Sequence, residues 1–105
     1  MMKLVIIESP FSGDIDKNLL YLKNCMKDCL NRNEAPFASH LLYTHTLDST
    51  LSSEKNLEAA AASAWENKAE LTVVYTDYGI SEGMEEGIEY ANNSGLKIIY
   101  RKLYT

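Results

Sequence analysis

The sequence predicts an α/β fold: one domain built on a four-stranded parallel sheet in the order 2-1-3-4, with helices on both faces. Three observations carry this. Short β-rich runs at Lys3–Glu8 (KLVIIE), Glu70–Thr76 (ELTVVYT) and Leu96–Arg101 (LKIIYR) alternate with stretches of helical period. The first two runs are apolar on both sides of the strand repeat, the pattern of parallel strands buried from two faces. Strand–helix alternation builds right-handed crossovers, which lay such strands side by side in parallel. A chain of 105 residues has room for one core, so residues 1–105 form a single domain.

Each element follows from local chemistry. The first strand stops at Ser9-Pro10, and Asp14 caps a helix whose inward face carries Ile15, Leu19, Leu22, Met26 and Cys29 or Leu30, ending near Asn31–Asn33. Pro36–His40 (PFASH) is the second strand. Residues 40–53 have no helical period and read as a long loop. Ser52 or Ser53 caps an alanine-rich helix, with Leu57, Ala61, Ala64 and Trp65 expected inward. After the third strand, Asp77-Tyr78-Gly79 turns the chain. Ser81 caps a last helix carrying Met84, Ile88 and Ala91 inward, and Gly95 ends it.

Fifteen acidic against ten basic residues leave a net charge of −5, with no basic cluster to override it. Such a surface repels nucleic acid and anionic membrane. The longest apolar run in the first strand, residues 4–7, is far too short to span a bilayer, and no secretory leader is apparent. Cys25 and Cys29, four residues apart on one helix, make no disulfide framework and no metal-ligand set. The expected setting is cytoplasmic, with neither metal nor cofactor.

In a sheet of this order, ligands bind beyond the carboxyl ends of the strands flanking the switch point between strands 1 and 3. That rule selects Glu8–Asp14, His40–Asp48 and Asp77–Ser81. Ser12 and Gly13 precede a helix start and can offer backbone N–H groups, although neither a GxGxxG run nor a Walker lysine is present. Asp77 can accept ribose hydroxyls. Glu82, Glu85 and Glu86 crowd the start of the last helix and disfavour a bare phosphate there, so a ribose or neutral base fits better. Glu86 and Glu89, three residues apart, form either a solvated acidic face or a carboxylate pair for glycosidic chemistry. His40 and His45 sit in the long loop, where a histidine can orient a ligand.

Taken together, the SPFSGD loop at residues 9–14, Asn18, Pro36 with Ser39 and His40, Asp77 with Gly79, Ile80, Ser81 and Gly83, and Ile88 with Ala91 resemble the nucleoside 2-deoxyribosyltransferase-like superfamily. The similarity is closest to its small bacterial and phage branch and covers nearly the whole chain. It implies a Rossmann-like domain that binds a nucleoside or nucleotide, as a homodimer or larger homo-oligomer. In the enzymes a glutamate nucleophile lies four residues before the alanine of the last helix; here that place is Gly87, and a first-loop tyrosine is Phe11. The strand-end aspartate is matched by Asp77.

The expected function is therefore to bind a nucleoside- or nucleotide-derived small molecule, and, by analogy with phage counter-defence, to sequester a nucleotide signal. Ser9, Phe11, Ser12, Gly13, Asp14, His40, Asp77 and Ser81 are the expected binding residues. The alternative is an N-glycosidase or deoxyribosyltransferase acting through Glu86 or Glu89.

Overall fold

The computed structural model describes residues 1–38 and 50–104. Their elements run β1 (Lys3–Glu8), α1 (Ile15–Asn31), β2 (Glu34–Phe37), α2 (Ser52–Glu66), β3 (Leu71–Tyr75), α3 (Glu82–Asn93) and β4 (Lys97–Arg101). All three strand pairings are parallel, and the sheet order is β2-β1-β3-β4. Among the described residues, no helix is long and apolar enough to cross a membrane.

The strand repeat of two sorts the core into two layers. Val5 and Ile7 of β1 and Leu71, Val73 and Tyr75 of β3 meet Tyr21, Leu22, Cys25 and Cys29 of α1. Ile6, Thr72 and Val74 face the other way, and Met84 and Ala91 of α3 are buried there. Each large apolar side chain buried in this way is worth roughly 1.5–3 kcal/mol. Both cysteines are free and buried, and desolvation pushes the Cys29 thiol up to about 11. Beneath α1, Arg101 donates two hydrogen bonds of 2.7 Å to the Glu34 carboxylate, holding that acid below its usual range.

Two sequence expectations are corrected. The second strand is Glu34–Phe37, two residues earlier than expected. Asn33 adopts φ 62°, reversing the chain directly after α1, and its carbonyl accepts from Lys3 N–H, so pairing with β1 begins at Glu34. Helix α2 is rotated. Ser52 lies inside it, Leu51 is its N-cap without a side-chain bond, and Leu57 and Trp65 are 60% and 55% exposed. An alanine-rich helix has little apolar contrast to fix its rotation. Trp65 stacks on Phe37 instead, with ring centroids 5.2 Å apart. His40, His45 and most of the expected long loop lie outside the described residues.

Candidate functional site

From β1 the chain crosses to β2 on one side, and β3 lies on the other, so the carboxyl ends of β1 and β3 flank the reversal. A groove of about 360 Å³ opens there. One wall is Glu8, Ser9, Phe11 and Ser12 beyond β1; the other is Ser81, Gly83, Met84 and Glu86 at the start of α3, with Glu58 reaching in from α2. Its size lies within the ordinary range for small-ligand sites, about 300–1,000 Å³.

Local capping chemistry sets both walls. The Asp14 carboxylate accepts from Lys17 N–H at 3.1 Å and starts α1. Asn18, one turn into that helix, donates its amide to the carbonyls of Phe11 (3.1 Å) and Ser12 (2.9 Å), which pins the loop over the groove. Gly13, at φ 97°, makes a turn that a side chain would strain. Across the groove, the Ser81 hydroxyl accepts from Met84 N–H at 3.3 Å and fixes the first turn of α3.

The groove is acidic and its lining contains no lysine or arginine. Glu8 is its deepest charged group. The strand repeat turns Glu8 away from Ile7 and toward α3, where its carboxyl fills the space beside Gly87. A Cβ on Gly87 would stand no farther than 2.6 Å from either carboxyl oxygen, so a glycine is required there for Glu8 to sit as it does. Burial, and then the charge of Glu66 on α2, push this carboxyl up to about 8. Burial raises Glu66 as well. At neutral pH Glu8 is therefore mainly a neutral acid, able to donate and accept.

Asp77 is placed differently from the sequence expectation. It follows Val73 and Tyr75 in strand parity and emerges on the α1 side. Its carboxylate accepts from Tyr21 Oη (2.5 Å), Leu103 N–H (2.9 Å) and Tyr104 N–H (2.9 Å). Burial acts to raise this group, but the hydrogen bonds outweigh it and hold Asp77 below its usual range. Tyr21 and Tyr78 pack beside it at 4.5 Å, with Lys17 Nζ 4.2 Å from the Tyr78 ring centre. Asp77 thus ties the C-terminal segment to α1 through both of its oxygens, and it is not among the residues that line the groove.

Of the residues singled out from the sequence, Ser9, Phe11, Ser12, Ser81 and Glu86 come together along the groove. Gly13 and Asp14 shape the loop behind it, Glu89 is exposed outside its lining, and His40 lies outside the described residues. Glu8 opens the segment Glu8–Asp14 that topology selects but is not among the expected binding residues, and Glu58 lies outside every selected segment. The one available signal was an acid closing an otherwise apolar strand beside the switch point. A second, apolar pocket of about 220 Å³ lies between β1, β2 and the end of α2, with Leu4, Phe37 and Trp65 in its lining and Lys68 as its one charge. It lacks the convergent polar groups that chemistry needs. Among the described residues, no cluster of His, Cys, Asp and Glu is arranged to hold a metal ion.

Residues 3–101 match the family described as a domain of unknown function, DUF7768. No curated protein and no solved structure matches the chain.

Proposed function

The chain belongs to the DUF7768 family, whose description leaves its role open, and we propose that the groove beyond β1 and β3 binds a nucleoside- or nucleotide-derived small molecule. One observation carries the reading: the groove lies at the switch point of a parallel sheet, and three serines, a phenylalanine ring and carboxyl groups converge on it. Hydroxyls and carboxyls suit a sugar, and the ring suits the face of a base. The acidic lining favours a nucleoside moiety inside, with any phosphates directed to solvent. The nucleoside deoxyribosyltransferase-like resemblance points the same way, and self-association into a homodimer or larger oligomer belongs to the same proposal. Holding a nucleotide signal out of circulation is the role this chemistry would serve.

The test is native mass spectrometry of freshly purified protein, followed by calorimetric titration with nucleosides and their monophosphates. A co-purified nucleoside-containing mass, or saturable binding of the nucleosides, is expected. An empty protein that binds none of them would end the proposal.

A second reading, cleavage or exchange of an N-glycosidic bond, has a specific observation behind it. The groove holds Glu8 as a neutral acid and a second carboxyl group, the exposed Glu86, on its other wall, and glycosidic chemistry works through such a pair of carboxyl groups. Free base released from nucleosides overnight, and lost in Glu86→Gln, would promote it over simple binding. Glu89→Gln should leave either activity intact, because Glu89 lies outside the groove lining.

A further inference from the structure

Glu8 is built into the groove in a way the folding of the domain does not require. A strand end at this edge would be served by any apolar residue, as it is by Val74, the register partner of Glu8 on β3. Instead β1 delivers a carboxyl into the groove, and α3 yields the volume for it by having no side chain at Gly87. No described residue hydrogen-bonds that carboxyl, and the like charge of Glu66 adds to the effect of burial on it. Among the described residues, Glu58 of α2 and Glu86 of α3 are the other titratable groups of the groove, while Thr72 and Val74 of β3 on this face carry no charge. With these acids about it and no lysine or arginine among the described residues that line the groove, the site favours the carboxyl without its charge.

A neutral carboxylic acid has a definite recognition pattern. Its O–H donates and its C=O accepts, side by side, which matches an edge with an acceptor beside a donor. Adenine and cytosine have such an edge, a ring nitrogen next to an exocyclic amino group. A side-chain amide reads adenine through the same pair of atoms. An ionised carboxylate, with two acceptors, does not.

Resting on the nucleoside reading above, we propose that Glu8, seated against Gly87, is the specificity element of the groove and reads the amino–imino edge of adenine or cytosine as a neutral acid. The affinity for such a base then depends on pH. Glu8 takes up its charge as the pH passes through about 8, and the donor it needs is lost on that side.

The experiment is calorimetric titration of the full chain with adenosine and with cytidine, at about pH 6.5 and about pH 9.5, bracketing that transition. Neither base titrates in this interval, and melting curves taken alongside verify that the protein stays folded. We expect the better ligand of the two to lose on the order of tenfold in affinity at the higher pH. Glu8→Gln keeps a neutral donor–acceptor pair in nearly the same volume, so it should bind that nucleoside at both pH values within about threefold of wild type at the lower one. Wild-type binding that ignores pH, or strengthens as it rises, overturns the inference while leaving the nucleoside proposal standing. Loss of binding in a folded Glu8→Gln at the lower pH overturns it equally. If neither nucleoside binds at either pH, the nucleoside reading itself fails and takes this inference with it.

Discussion

Glu8 and Asp77 are carboxylic acids at the same edge of one sheet, on neighbouring strands, and their surroundings drive them to opposite states. Asp77 receives three hydrogen bonds and stays ionised below its usual range; Glu8 receives none from a described residue, is desolvated, and is pushed up to about 8. Strand parity decides which is which. An odd step from Tyr75 would have sent Asp77 to the groove side, and one fewer residue in β1 would have sent Glu8 into the packed layer under α1. The contrast separates structure from chemistry: a carboxylate with both oxygens engaged holds the fold, whereas one without a hydrogen-bond partner among the described residues can meet a ligand.

The largest expected effect tests that separation directly. Asp77→Asn should destabilise the fold by roughly 1.5–3 kcal/mol near neutral pH, the scale of hydrogen bonds to a charged group. Because the folded-state pKa of Asp77 is lowered, its contribution is present above the unfolded value and fades as pH falls through the acid range. Glu8 has the opposite sign. Its folded pKa is raised from 4.5 to about 8, so its contribution is complete below 4.5 and lost as pH rises toward 8. Glu8→Gln should therefore match wild type near pH 5 and exceed it near pH 9 by about 1–2 kcal/mol, less than the full shift because the groove admits water. Urea denaturation across pH checks both. Parallel pH profiles for the two variants would erase the comparison.

A smaller effect probes the seat of Glu8. Gly87→Ala places a methyl group where the Glu8 carboxyl lies, yet alanine is the better helix former by up to about 1 kcal/mol. The expected result is a loss of about 1 kcal/mol in wild type, and a gain of about 0.5–1 kcal/mol when the same change is made on Glu8→Ala. The sign reversal is the diagnostic. Equal effects on both backgrounds would mean that Glu8 and Gly87 are not coupled.

The fold was legible because its signals are local and strong. The apolar runs of β1 and β3, the Asp14 and Ser81 caps and Gly95 at φ 74° each act through neighbouring residues. The walls of the groove were legible for the same reason, since topology alone brings the segments after β1 and β3 together. What the sequence hid was facing. With both faces of β1 and β3 covered, their apolar pattern carries no parity signal, so nothing distinguished the side taken by Asp77 from the side taken by Glu8. Gly87 was equally opaque. Read along the chain it is a position lacking a carboxylate; in three dimensions it is room for one arriving from another element. Helix α2 was misjudged because its alanines leave both sides alike.

The smallest expected effect concerns what keeps Glu8 neutral. Burial is the main cause and Glu66 the second, whereas Glu86 stands at the open side of the groove where water and salt screen it. Removing the Glu66 charge should let Glu8 ionise more easily, lowering its midpoint by about half a pH unit in Glu66→Gln. Glu86→Gln should move it by no more than about two tenths of a unit. Carboxyl carbon chemical shifts followed by NMR through the titration resolve both, and added salt should shrink the smaller shift before the larger. A larger movement in Glu86→Gln than in Glu66→Gln would place the controlling charge on α3 rather than α2. It would also make the groove's open side, and not its buried floor, the determinant of how Glu8 meets a ligand.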